Sequence, residues 1–235
     1  MFRTDGWIVG FDADDTLWHN ERFFRMTQER FAGLLSDHAG ADDLGGRLLA
    51  AERRNLGHYG YGIKGFMLSM IETATEVCGE AVPARVISEI LAAGQDMLSH
   101  PIDLLPGARE AVETVAREAR VVLITKGDLM DQERKLAQSG LGELFDAVEI
   151  VSAKTAAVYA GVFSRHGEGP ETAMMVGNSM RSDVLPAISA GGWGVFVPHE
   201  LGWEIEHAEA PEGHERYREL AHLGELPQLV RSTGA

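Results

Sequence analysis

The sequence carries a single cysteine, Cys78. An intramolecular disulfide is therefore impossible, which excludes a disulfide-stapled extracellular framework. Positive charge is also scarce: 21 Lys and Arg stand against 36 Asp and Glu, a formal net charge of −15. Nucleic acids and anionic membrane surfaces call for a basic face, so neither is expected as a partner. A small anionic substrate stays open, because one lysine or one metal ion inverts the field inside a single cleft. No apolar stretch approaches the roughly 18 residues of a membrane span. The opening MFRTDGW lacks the apolar segment of a secretory leader, and a cytoplasmic protein is expected. Repeats and low-complexity segments are absent too. What remains is ordinary in bulk, with 45% hydrophobic and 24% charged residues in a chain of 235, enough for one large or two small domains.

The chain changes texture twice. Trp7 to Phe11 is a short apolar run that stops at Asp12, the pattern of a buried strand. Helical spacing then rules from about Asn20 to His100: Glu21 to His38, Asp43 to Leu56, Lys64 to Val77 and a fourth helix after Pro83, the pattern of a four-helix bundle. From Pro106 strands and helices alternate. A helix runs through Glu118, and strands are predicted at Val121–Ile124, Ala147–Val151, Ala173–Val176 and Trp193–Val197. Helices are predicted at Leu129–Ser139, Thr155–His166 and Arg181–Ala190. Alternation of this kind requires crossover connections and a parallel sheet. Glu204 to Arg218 reads as loop, with a short strand and a closing helix within Leu220–Leu229. The expectation is an α/β core from residues 1–19 and 101–235, with residues 20–100 inserted as a helical domain.

Ligands of open parallel sheets bind beyond the carboxyl ends of the strands, and four of those ends are polar here. The first carries Asp12 and Asp14, the second Thr125, the third Lys154, the fourth Asn178, Ser179 and Asp183. Charge delivered to a sheet edge is costly unless it is neutralised. Three carboxylates, a lysine, a hydroxyl and an amide suit a hard cation with a phosphoryl group: magnesium prefers oxygen ligands, and the lysine and hydroxyl serve the remaining phosphoryl oxygens.

With these residues in view the chain resembles the haloacid dehalogenase-like hydrolases, in the subgroup with a helical cap after the first strand. The likeness extends over nearly the whole length. Asp12-Ala13-Asp14-Asp15-Thr16 matches the family's first motif, Thr125 the second, Lys154 the third, and Gly177-Asn178-Ser179 with Asp183 the fourth. Asn178 stands where an acid is commoner. The resemblance implies a Rossmann-like doubly wound core with a four-helix cap. It implies that Asp12 attacks phosphorus and that Asp14 serves as general acid and base. Thr125 and Lys154, with Lys126 beside them, would hold the substrate's phosphoryl group. Magnesium would be held by Asp12, the carbonyl of Asp14 and Asp183, with Asn178 a weaker ligand or a partner of Lys154. An acid at position 14 favours phosphate esters over dehalogenation, since a halide leaves without a proton.

The expected activity is hydrolysis of a small phosphorylated metabolite by a monomer or homodimer. A phosphomutase or phosphotransferase, a 2-haloacid dehalogenase and a non-catalytic metabolite-binding module are the alternatives. The segment His58 to Lys64 reads either as a plain link or as a substrate-facing patch, with Lys64 meeting an anion and Tyr61 stacking or hydrogen bonding. Asp15 is expected to brace its own loop and Asp128 to cap the helix from Leu129. Cys78 is read as buried and inert. His166, His199, His207, His214 and His222 show no ligand spacing and read as surface or loop residues.

Overall fold

The computed structural model describes residues 6–234. The reading of MFRTDGW rests mainly on residues 1–5, which lie outside the described residues. The chain divides into two compact units, one of Met1–Asn20, Ile102–Lys126 and Gln132–Ala235, the other of Glu21–Pro101 and Gly127–Asp131.

In chain order the first strand, β1, is Ile8–Phe11. Four helices follow, α1 (Glu21–Leu34), α2 (Ala41–Tyr59), α3 (Ile63–Cys78) and α4 (Ala84–Ser99). Their inward faces build the core of the helical unit from Phe31, Leu44, Leu48, Phe66, Met70 and Ile90, joined by Leu35 just past α1. Gly94 of α4 lets α3 come close, because a Cβ there would lie 2.0 Å from Met67 Sδ. The link between α2 and α3 is shorter than the sequence suggested. Gly57 does not break α2; the stop comes at Gly60, whose φ of 73° disfavours any other residue and whose N–H donates to the Leu56 carbonyl. His58, Tyr59 and Lys64 are therefore helical, and only Gly60–Gly62 remains as loop. Cys78 is half-buried rather than buried.

The remaining elements are α5 (Ala108–Val115), β2 (Arg120–Lys126), α6 (Leu129–Ser139), β3 (Ala147–Val151), α7 (Ala156–His166), β4 (Ala173–Gly177), α8 (Leu185–Ser189), β5 (Trp193–Phe196), β6 (Tyr217–Glu219) and α9 (Leu226–Thr233). The strands form one sheet in the order β3-β2-β1-β4-β5-β6, and every pairing is parallel. Alternation along the strands divides the side chains between two faces. Val9, Phe11, Val121, Leu123, Met174 and Val176 join α5 and α9 in one core. Ile8, Val122, Ile124, Ala173 and Met175 join Tyr159, Val162 and Phe163 of α7 in the other. Burial on both faces is why the strands read as continuous apolar runs. This is the doubly wound Rossmann-like architecture anticipated from the sequence.

Two local readings are corrected. The final strand is Tyr217–Glu219, which begins inside the segment read as loop and ends before Leu220, and α9 begins at Leu226. The helix expected over Arg181–Ala190 is two pieces: Met180–Val184 forms one π turn, closed by the Val184 N–H to the Ser179 carbonyl, and α8 follows. Pro186 lies in the opening positions of α8, where no N–H is required.

Candidate active site

Parallel strands open on one edge, and the sequence delivers polar residues there. The Asp12 N–H donates to the Val176 carbonyl at 2.9 Å, so the β1–β4 ladder reaches one residue past the strand and fixes the Asp12 side chain at the rim. Asp12 is 7% exposed. Lys154 Nζ donates to Asp12 Oδ1 and lies 2.6 Å from Asp183 Oδ1, one ammonium between two buried carboxylates. Thr16 Oγ1 donates to Asp12 Oδ2 at 3.0 Å. Burial pushes the Asp12 carboxyl up to about 7; the Lys154 charge pulls it down and Asp183 adds to the rise. Burial disfavours the Lys154 ammonium, but Asp12 and Asp183 outweigh it and hold the group above the ordinary lysine range.

Asp183 is wholly buried, and both its oxygens are engaged: Oδ1 by Lys154, Oδ2 by the Ser179 N–H at 2.9 Å. The π turn makes this possible by placing Asp183 back against Gly177. A Cβ at position 177 would lie 2.2 Å from Asp183 Oδ2, so β4 must end in glycine. Asn178 has another place. The inward atom of its amide lies 3.2 Å from Asp12 Oδ2, from the Asp14 carbonyl and from Thr16 Oγ1. With nitrogen inward it donates to these oxygens. With oxygen inward, it makes with Asp12 Oδ2 and the Asp14 carbonyl a cluster of three oxygens. Octahedral magnesium with bonds near 2.1 Å sets adjacent ligand oxygens about 3.0 Å apart. The separations of the Asn178 oxygen from Asp12 Oδ2 and from the Asp14 carbonyl suit adjacent ligands of that ion.

Asp14 has a separate set of partners. Its carboxylate accepts from the Trp18 indole N–H at 2.7 Å, from Lys135 Nζ at 3.0 and 3.2 Å, and from Gln132 Nε2 at 3.2 Å. Gln132 Nε2 also donates to Thr125 Oγ1 at 2.6 Å and so ties the end of β2 to Asp14. Gln132 and Lys135 sit one turn apart on α6 and are buried. Sequence reasoning missed both. The available signal was their i, i+3 spacing on the helix that follows Thr125.

Lys126 has a dedicated counterion. Its Nζ pairs with Glu206 and lies 2.8 Å from Ser182 Oγ; Glu206 in turn accepts from Ser179 Oγ. Burial holds Lys126 below the ordinary lysine value, against the pull of Glu206. Burial would raise the Glu206 carboxyl, but Lys126 together with the Ser179 and Ser182 hydroxyls outweighs it and the net direction is down. Glu206 was not anticipated, since it lies in the polar tail. Lys64 and Tyr61 belong to the helical unit, where Lys64 Nζ pairs with Asp128 Oδ2 at 2.7 Å. The same bond holds the Asp128 carboxyl below its usual range, with backbone bonds from Met130 and Asp131 as expected of a helix cap. Asp15 braces its loop by accepting from the Asn20 N–H at 2.8 Å.

A doubly wound parallel sheet that gathers Asp12, Asp14, Thr125 and Lys154 at its carboxyl edge defines a Rossmann-like hydrolase core. The profile of the haloacid dehalogenase-like hydrolases matches residues 8–191, and the chain belongs to that family. It is 42% identical to a haloacid dehalogenase-like family hydrolase of Xanthomonas campestris, covering 99% of this chain and 94% of that one with a TM-score of 0.86. It is 27% identical to the pyrimidine 5'-nucleotidase YjjG of Escherichia coli (strain K12) over 132 residues, 54% of this chain and 56% of that protein. The chain thus matches little more than half the length of that curated relative. The L-2-haloacid dehalogenase of Xanthobacter autotrophicus shares the fold, with a TM-score of 0.62 at 18% identity over 98% of this chain and 99% of that one. No helix among the described residues is long and apolar enough to cross a membrane.

Proposed function

We propose that the protein is a magnesium-dependent phosphatase of small phosphate monoesters that works through an aspartyl-phosphate on Asp12. The carrying observation is the division of partners between two carboxylates two residues apart. Asp12 is held by Lys154 and Thr16, while Asp14 is held by Trp18, Lys135 and Gln132. Carboxylates in separate environments can take separate roles.

In this reading a carboxylate oxygen of Asp12 attacks phosphorus as the bond to the leaving oxygen breaks. Asp14 gives its proton to that oxygen, then takes one from the water that attacks the aspartyl-phosphate, which frees Asp12. Lys154 holds Asp12 in line and meets a phosphoryl oxygen, and Thr125 Oγ1 donates to another. Gln132 orients Thr125 and Asp14 together. Asp12 Oδ2, the Asp14 carbonyl and the Asn178 side chain would hold magnesium, which when bound supplies positive charge between an anionic nucleophile and an anionic substrate. Asp183 stands behind Lys154 and fixes it. A carboxylic acid at 14 disfavours halide displacement, which needs no proton donor.

The test is turnover of an aryl phosphate with magnesium, followed by a panel of sugar phosphates, small acid phosphates and nucleoside 5'-monophosphates. The last are included because YjjG is named as a pyrimidine 5'-nucleotidase. Asp12→Asn is expected to abolish turnover; activity retained in that variant overturns the nucleophile. Phosphate transferred to an added alcohol, rather than released, would move the reading to a phosphotransferase. No turnover on any ester would favour a binding module.

A further inference from the structure

We propose that Asp15, His19 and His199 form a site for a transition metal of the zinc class, built on different atoms from the oxygen cluster at Asp12, Asp14 and Asn178. One ligand atom from each of the three residues lies within 4.8 Å of the others. Two imidazole nitrogens and one carboxylate oxygen are a borderline-soft set, suited to zinc or cobalt and unlike the all-oxygen set that magnesium takes.

The separation of His199 from Asp15 leaves room for an ion. His199 Nε2 lies 3.7 Å from Asp15 Oδ1. That is too long for a hydrogen bond. It is close to the ligand–ligand separation of about 3.3 Å that tetrahedral zinc sets with bonds near 2.0 Å. The other nitrogen of His199 is 2.9 Å from the Leu201 carbonyl. The Leu201 N–H lies 3.3 Å from the same nitrogen, so Leu201 engages Nδ1 and Nε2 is the ring nitrogen left facing Asp15. Metal-bound histidines are oriented in this way, by a backbone acceptor on the far nitrogen. The His19 ring stands edge-on to His199, with centroids 5.8 Å apart and planes at 65°.

The supporting backbone is held just as firmly. The His19 N–H donates to the Asp103 carbonyl at 3.0 Å, and the Asn20 N–H donates to Asp15 Oδ1 at 2.8 Å. Asp15 has a φ of 59°, the one positive value at a non-glycine residue among the described residues. A left-handed backbone is a cost that the surroundings must sustain, and such residues gather at ligand sites. Three protein ligands leave a fourth position for water or another small ligand. Asp15 follows Asp14 directly, so an ion here would pin the loop that carries the proposed general acid to the segment after β5.

The experiment is a cobalt(II) titration of chelator-stripped, dialysed protein, read by visible absorption, then displacement by zinc(II). The expected result is one equivalent per chain with the intense band of a four-coordinate ion. Binding is retained in Asp12→Asn and weakened by roughly tenfold or more in His19→Ala and in His199→Ala. No uptake, or uptake lost in Asp12→Asn yet intact in both histidine variants, overturns the site and leaves an imidazolium–carboxylate pair. X-ray absorption on the zinc-loaded wild-type protein keeps the question decidable if the variants misfold. Two imidazole scattering shells support the site, and an all-oxygen shell refutes it.

Discussion

Lys135 Nζ lies 3.0 Å from Oδ1 of Asp14, and no other ammonium is paired with that carboxylate among the described ion pairs. The same Nζ is 2.8 Å from Asn20 Oδ1, so Lys135 fixes both ends of the loop between them. Lys135 is a positioning residue in the proposed reaction, and Lys135→Met should lower kcat by roughly 10 to 100-fold, less than the roughly 100 to 10,000-fold that the acid–base group itself contributes. KM should change little. The loss should be larger for an alkyl phosphate, whose leaving oxygen needs a proton, than for a nitrophenyl phosphate, whose leaving group does not. An equal loss on both substrates would assign Lys135 to folding alone.

Lys154 holds two buried carboxylates apart, and removing it leaves both without a counterion. Breaking a buried pair by deleting one partner costs about 3 to 5 kcal/mol. Lys154→Met should lose that much in urea unfolding at pH 8 in chelator. Asp12 is already pushed up to about 7 with Lys154 in place, and a carboxylate raised in the folded state costs stability when ionised. That cost disappears as pH falls below the folded value toward the unfolded one. The gap between variant and wild type should therefore narrow on acidification. Lys154→Met with Asp183→Asn should recover about 1 to 2 kcal/mol of the loss. A Lys154→Met protein within 1 kcal/mol of wild type would refute the arrangement.

The sheet was legible because each central strand is buried on both faces and reads as an unbroken apolar run. Its carboxyl edge was legible because polar residues follow those runs directly. The edge strand β6 was not, since Tyr217-Arg218-Glu219 is a polar tripeptide held by its ladder to β5 and by the Arg218 guanidinium 4.8 Å over the Trp193 ring. Lys135 and Gln132 look like an ordinary solvated face until tertiary packing turns them toward Asp14. Glu206 and His199 sit in segments without period, and the partners they meet are far away in sequence. Asp183 was read as a metal ligand because it is charged; its contacts with Lys154 and the Ser179 N–H depend on the π turn, which is invisible in composition.

Glu206 neutralises Lys126 in a largely buried setting, so Glu206→Gln leaves an ammonium without its partner. The expected cost is about 3 kcal/mol at pH 7, measured by chemical denaturation. The pair also sets a pH signature. Glu206 is held below its ordinary value of 4.5, with Lys126 and the Ser179 and Ser182 hydroxyls together outweighing burial. A depressed carboxylate contributes stability above the unfolded value and loses it as pH falls through the folded one. The difference between wild type and Glu206→Gln should be full near neutrality and shrink below about pH 4.5. A difference that does not vary with pH would show that Glu206 acts by packing rather than by charge.

Asn178 tests the oxygen cluster most directly. Its inward atom is 3.2 Å from Asp12 Oδ2 and from the Asp14 carbonyl. Asn178→Asp adds a full charge at nearly constant shape. With magnesium present the added carboxylate should tighten binding by roughly tenfold or more, about 1.4 kcal/mol. Without it, two close carboxylates repel, one of them is driven toward its protonated form, and the apo protein should melt at a lower temperature than wild type. The two effects have opposite sign in one variant, so calorimetric titration with magnesium and melting in chelator separate them from a general change in stability. Unchanged magnesium affinity together with an unchanged apo melting temperature would remove Asn178 from the cluster and return the ion to Asp12 and Asp183.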